Sequence, residues 1–137
     1  NVMMIDEFLY QEIITEKLQC EFSSPFNNIF IHGHCHQKAL YGTTAMNQIL
    51  NFISGMTVTD VDSGCCGMAG SFGYEKEHYE LSMQIGESRL FPAVRNSGNG
   101  TAVVACGFSC RHQIADGTGV KAMHWVETLR GKVKQAP

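Results

Sequence analysis

The stretch NIFIHGHCH, residues 28–36, decides how this chain folds. Ile29, Phe30 and Ile31 form a short, continuous apolar run, the pattern of a strand buried on both faces. A strand of that kind belongs to a parallel sheet covered by helices. The run ends in His32-Gly33-His34-Cys35-His36, so reactive side chains collect where the strand stops.

Reading outward, the same alternation continues. Upstream, MMIDEFLYQEIITEKL (3–18) carries Ile5, Phe8, Leu9 and Ile13 on one helical stripe, with Asp6 as a first-turn acid. Downstream, QKALYGTTAMNQILNFI (37–53) places Tyr41, Ala45, Ile49 and Phe52 at helical spacing. GMTVTDVD (55–62) reads as a second strand and runs directly into Ser63-Gly64-Cys65-Cys66-Gly67. A helix is expected over Glu75–Val94, with Tyr79, Met83, Gly86 and Leu90 on one stripe. TAVVACGFSC (101–110) is a third strand, and VKAMHWVETLR (120–130) a short strand passing into a final helix.

Strands alternating with helices predict an α/β fold: three layers, with a small, mostly parallel sheet and helices on both faces. One domain is expected over residues 1–137, as a fragment of something longer. In such sheets ligands bind outside the carboxyl ends of the strands. Cys35 follows the first strand, Cys65 and Cys66 the second, and Cys106 and Cys110 the third. The topology therefore predicts one sulfur-lined rim.

Composition narrows the chemistry. The 137 residues are 44% hydrophobic and 17% charged, with a formal net charge of −3. No basic block favours nucleic acid. No apolar run approaches the ~18 residues of a membrane span, and no signal pattern appears, so a soluble, cytoplasmic location is expected, with association to a membrane only through partners. Six cysteines clustered among glycines fit a metal or redox site in a reducing compartment better than a disulfide framework.

Thiolates are the ligands of iron–sulfur clusters and of structural zinc. Glycines such as Gly64 and Gly67 let backbone N–H groups approach sulfur and let two neighbouring thiols reach one centre. Cys35, Cys65, Cys66 and Cys110 are the converging set. Cys106 is either a further ligand or a buried apolar residue ending its strand. If the extended conformation continued past His32, then His32, His34 and His36 would share one face and Cys35 the other. His34 or His36 is then a ligand, a donor to the ligands or a proton carrier. His112 and His124 read as structural, and Cys20 as a small buried hydrophobe. Gly67, Gly70 and Gly73 have the rhythm of a phosphate loop but lack its Lys-Ser/Thr and the dinucleotide spacing. A dithiol catalyst using Cys65 or Cys66 would require a thiolate of lowered pKa.

Cys35, Cys65-Cys66-Gly67 and the Cys106/Cys110 region together resemble the cysteine-rich CCG domain. That domain occurs in a subunit of heterodisulfide reductase, in iron–sulfur subunits of glycolate oxidase and anaerobic glycerol-3-phosphate dehydrogenase, and in lactate-utilisation proteins. HGHCHQKAL, SGCCGMAGSFGYEKEHYELSM, LFPAVR and GFSCRHQI look like the C-terminal end of fused flavoproteins with an FAD-linked oxidase module of the D-lactate/glycolate dehydrogenase type. The resemblance implies an electron-transfer domain holding an iron–sulfur cluster (4Fe-4S) or zinc, with FAD in a module outside these residues. That module is the implied partner, and the resemblance names no electron acceptor. It assigns the metal to Cys35, Cys65, Cys66, Cys110 and the neighbouring Cys106, with Gly64, Gly67, His34 and His36 around it. The family pattern ends in Cys-x-x-Cys, whereas Cys106-Gly107-Phe108-Ser109-Cys110 is one residue longer. By the same resemblance, this domain alone performs no dehydrogenation.

Overall fold

A computed structural model describes residues 2–17, 20–21, 24–52, 56–129 and 134–135, the pairs 20–21 and 134–135 by their backbone alone. Helix α1 (Ile5–Ile14) opens with the Glu7 carboxylate accepting the Met4 N–H at 2.9 Å. Its buried face is Asp6 and Ile13, flanked by Leu9 and Tyr10, while Ile5 and Phe8 are exposed. The expected stripe is thus rotated, because Asp6 turns inward and accepts from Gln37 Nε2 at 3.3 Å.

Strand β1 (Cys20–Glu21) precedes β2 (Asn28–His32), the central strand of the sheet. The single helix expected next is two, α2 (Cys35–Leu40) and α3 (Thr44–Phe52). Gly42, at φ +75°, ends the first of them, since a left-handed residue cannot continue a helix. Met46, Ile49 and Leu50 are the buried residues of α3, and Tyr41 and Phe52 face out. Strand β3 (Thr57–Asp60) then pairs with β2. After a 3-10 turn at Phe72–Tyr74 come α4 (Tyr79–Ser88) and α5 (Leu90–Arg95). Pro92 lies in the first turn of α5, where its missing N–H costs nothing. The expected long helix breaks at Arg89.

Strand β4 (Thr101–Ala105) leads into α6 (Phe108–Thr118), a helix the sequence pattern leaves unread. The expected short strand before α7 (Trp125–Thr128) is one parallel bridge, Met123 to Val104, on the outer edge of β4. Strand β5 (Lys134–Gln135) pairs antiparallel with β1.

The main sheet has the order β3-β2-β4, all parallel, with Ile31 opposite both Asp60 and Val104. Residues alternate between its faces. Ile29, Ile31, Ala102 and Val104 join Ile13, Met46, Ile49, Leu50 and Trp125 in one core. Val103 and Ala105 join Leu90, Phe91, Val94 and Ile114 in the other, with Phe30 packed against it. Helices α1, α3 and α7 thus cover one face and α4, α5 and α6 the other, the three-layer α/β arrangement expected. Gly86 and Gly117 both press on the Phe91 ring, which leaves no room for a Cβ at either. No helix among the described residues is long and apolar enough to cross a membrane.

Candidate metal centre

Three chain segments meet beyond the carboxyl ends of β2, β3 and β4. The first is the last residue of β2. His32 shares the parity of Phe30, so its ring enters the face covered by α4–α6, and it is completely buried. Its Nδ1 lies 2.5 Å from Ser63 Oγ, also buried, at the start of the loop after β3. Its Nε2 is buried without any hydrogen-bond partner.

The second segment is that loop. Cys66 is buried, Cys65 half-buried, and the Gly67 N–H donates to Cys65 Sγ at 3.3 Å. Gly67 has φ +98°, and a Cβ on it would collide with the Ser82 carbonyl oxygen. Only glycine meets both conditions. Ser82 of α4 is itself tied to α6, accepting from Gln113 Nε2 at 3.0 Å through its carbonyl and 2.8 Å through its hydroxyl. This buried polar pair sits under the thiol loop and carries no periodic signal in the sequence.

The third segment is the β4–α6 turn. Arg111 secures it by donating to the Ala105 and Cys106 carbonyls at 2.9 and 2.8 Å. Cys110, two residues into α6, is buried with its Sγ 3.3 Å from Cys66 Sγ. One ring nitrogen of His32 and the sulfurs of Cys66 and Cys110 all lie within 4.8 Å of one another. Cys35, the first residue of α2, is exposed and near enough to Cys65 for that thiol to raise its pKa. The four cysteines of the converging set therefore form two neighbouring pairs on one rim.

Cys106 goes elsewhere. Strand alternation continues past Ala105, so Cys106 takes the opposite face, with Sγ 3.5 Å from Met46 Sδ. Its thiol is pushed up to about 11, mainly by burial and then by Asp6. His34 and His36 leave the predicted alternation because the helix begins at Cys35. Their ring centroids lie 5.4 Å apart with the planes tilted by 34°. The His34 ring lies against Gly107, where a Cβ would collide with it and stand 2.8 Å from Cys110 Sγ. Burial and the neighbouring His36 hold its pKa below the ordinary value. His36 is exposed, and together with Tyr41, Cys106 and His124 these two line an open cavity of about 390 Å³. Gly64 accepts from Lys38 Nζ at 3.4 Å. His124 caps α7 and His112 bonds Tyr74, the structural roles expected of both. Cys20 falls outside the residues whose side chains are described.

The electrostatics separate the thiols. Cys66 is held down to about 4, first by the proton it shares with Cys110, then by His32 and the Met68 N–H, against the effect of burial. Cys110 is pushed up by the same pairing and by burial. Cys35 is raised by burial and by Cys65. A buried pair that retains one proton, beside an unpartnered imidazole nitrogen, is a donor set suited to a soft or borderline metal.

No family model matches the chain, and neither does any solved structure. Curated relatives do. The chain is 34% identical over 101 residues to a subunit of the anaerobic glycerol-3-phosphate dehydrogenase of Escherichia coli K12, a match covering 74% of this chain and 25% of that one. It is 30% identical over 137 residues to the D-2-hydroxyglutarate dehydrogenase of the same organism, covering 98% of this chain and 13% of the relative. The Pantoea ananatis D-2-hydroxyglutarate dehydrogenase matches at 29% over 124 residues, 88% of this chain and 12% of the relative. The chain thus spans a quarter or less of the relatives' length.

Proposed function

We propose that this chain, whose relatives are consistent with a cysteine-rich CCG-type domain, is the iron–sulfur or metal-binding electron-transfer part of an FAD-linked 2-hydroxy-acid oxidoreductase. The observation that carries this reading is the meeting of two buried thiols and a bare, buried imidazole nitrogen at the carboxyl edge of the sheet. Cys35, Cys65, Cys66 and Cys110 would hold the group. When bound, it supplies one-electron redox chemistry at a potential set by its charge and hydrogen bonds.

The protein's own part is to hold sulfur in fixed places and to tune it. The Gly67 N–H donates to Cys65, and the Met68 N–H favours charge on Cys66. Burial of Cys66 and Cys110 keeps water from them, while exposed Cys35 marks the side open to a partner. The partner is an FAD-linked oxidase module, in the same polypeptide or complex, that takes electrons from the 2-hydroxy acid. D-2-hydroxyglutarate dehydrogenase among the relatives supports a substrate of this class. Cysteines gathered at one rim rather than paired as a disulfide framework favour a cytoplasmic location, with a membrane reached only through partners.

A second reading is zinc in a docking module without redox work, favoured by the nitrogen donor beside the thiols, since mixed Cys/His sets hold structural zinc. Iron, acid-labile sulfide and zinc measured on protein kept free of oxygen decide between them. Iron with sulfide is the expected result. Zinc without sulfide would establish the docking module, and protein that stays metal-free after anaerobic reconstitution would defeat both.

A further inference from the structure

We infer that His32 is itself a ligand of the centre, through Nε2, and that Ser63 is the residue that positions it. The inference rests on the metal-centre reading above. His32 is fully buried, and its two ring nitrogens have unlike surroundings. Nδ1 meets the buried Ser63 hydroxyl at 2.5 Å, whereas Nε2 has no partner. If Nδ1 carries the proton and donates it to Ser63 Oγ, Nε2 is left with a bare lone pair. Buried polar atoms are rarely left so, and each one needs a reason. The thiols of Cys66 and Cys110 supply it, being gathered with His32 within 4.8 Å. Among the described residues this is the single such grouping of three metal-ligating side chains.

A hydroxyl accepting from one imidazole nitrogen while the other faces a metal is the arrangement that fixes tautomer and ring direction in metal-bound histidines. The metal it suits is iron or zinc, both of which take imidazole beside thiolate. Nitrogen in place of a thiolate also removes one negative charge from the centre. In an iron–sulfur group that raises the reduction potential. The competing role is a hydrogen-bond donor to the Cys66 thiolate, with the proton on Nε2. A second imidazole, His34, lies close enough to be confused with His32 in any spectrum of the wild type alone.

X-ray absorption at the edge of whichever metal the anaerobically purified protein carries separates these roles. The wild type is expected to show an imidazole in the metal's shell, and His32→Ala to lose it. His32→Cys should keep the metal, exchange one nitrogen for sulfur and, in an iron form, lower the midpoint potential. Metal-loaded wild type with an all-sulfur shell would overturn the inference and leave the metal centre standing, as would imidazole scattering undiminished in His32→Ala. Wild type that holds no metal defeats the metal-centre reading and this inference together. If circular dichroism shows His32→Ala unfolded, Ser63→Ala decides. Its metal should pass to a chelator about 10- to 100-fold more readily with the imidazole still bound, and unchanged release would refute the role given to Ser63.

Discussion

The two faces of the β3-β2-β4 sheet are packed by different means. One face meets α1, α3 and α7 through Ile13, Ile29, Ile31, Met46, Ile49, Leu50, Val104 and Trp125. The other meets α4, α5 and α6, and within its core lie Cys66, Cys110 and Met68 beside glycines that touch side chains directly. Branched aliphatic packing of the first kind supplies stability and tolerates little change of volume. The second face gives up part of that packing to bring thiols and backbone N–H groups together. The purely hydrophobic core and the gathered thiols therefore lie on opposite sides of one five-residue strand, β4, whose successive residues point alternately to each.

That division can be tested by substitution. The largest effect is expected from Gly67→Ala, which meets both an unfavourable φ and the Ser82 carbonyl. It should lower stability by about 3 kcal/mol or more and abolish metal binding, read by denaturant unfolding and metal analysis. Leu50→Ala, on the aliphatic face, should cost about 2–5 kcal/mol yet leave the metal content of the folded fraction unchanged. Loss of metal in that variant would dissolve the distinction between the faces.

Cys110→Ser should do the reverse. Unfolding of the metal-free protein shifts by only about 1–2 kcal/mol, because the shared proton with Cys66 is weakened rather than a cavity made, but metal is no longer retained. The smallest change is expected from Cys106→Ala, about 1 kcal/mol with full metal content, since its sulfur contacts Met46 on the aliphatic side. An empty centre in Cys106→Ala would mean that this residue crosses to the other face.

Much of this was legible in the sequence. The continuous apolar runs at Ile29–Ile31 and Ala102–Ala105 marked buried parallel strands, and the rule that sites form at strand ends brought Cys66 toward Cys110. The face of Cys106 could also be read, because parity counted along β4 sets it opposite Ala105. His32 was harder. Treating His32, His34 and His36 as one extended row assumes that the strand persists, but α2 starts at Cys35, so of the three only His32 keeps its strand position. The stripe of α1 misled because Asp6, paired with Gln37, turns a charged residue inward. The hydrogen bonds of Ser82 and Gln113 join distant helices, and no local pattern announces such pairing.

The sharing of a proton between Cys66 and Cys110 spans 44 residues of chain, and the His32–Ser63 contact another 31. Contacts this remote in sequence carry a loop-closure cost that local helical contacts do not. During synthesis a ribosome-bound chain that has not yet released Cys110 owns half a nest of sulfur and nothing to close it. The last of the gathered thiols thus comes into reach only once β4 and α6 have left the ribosome.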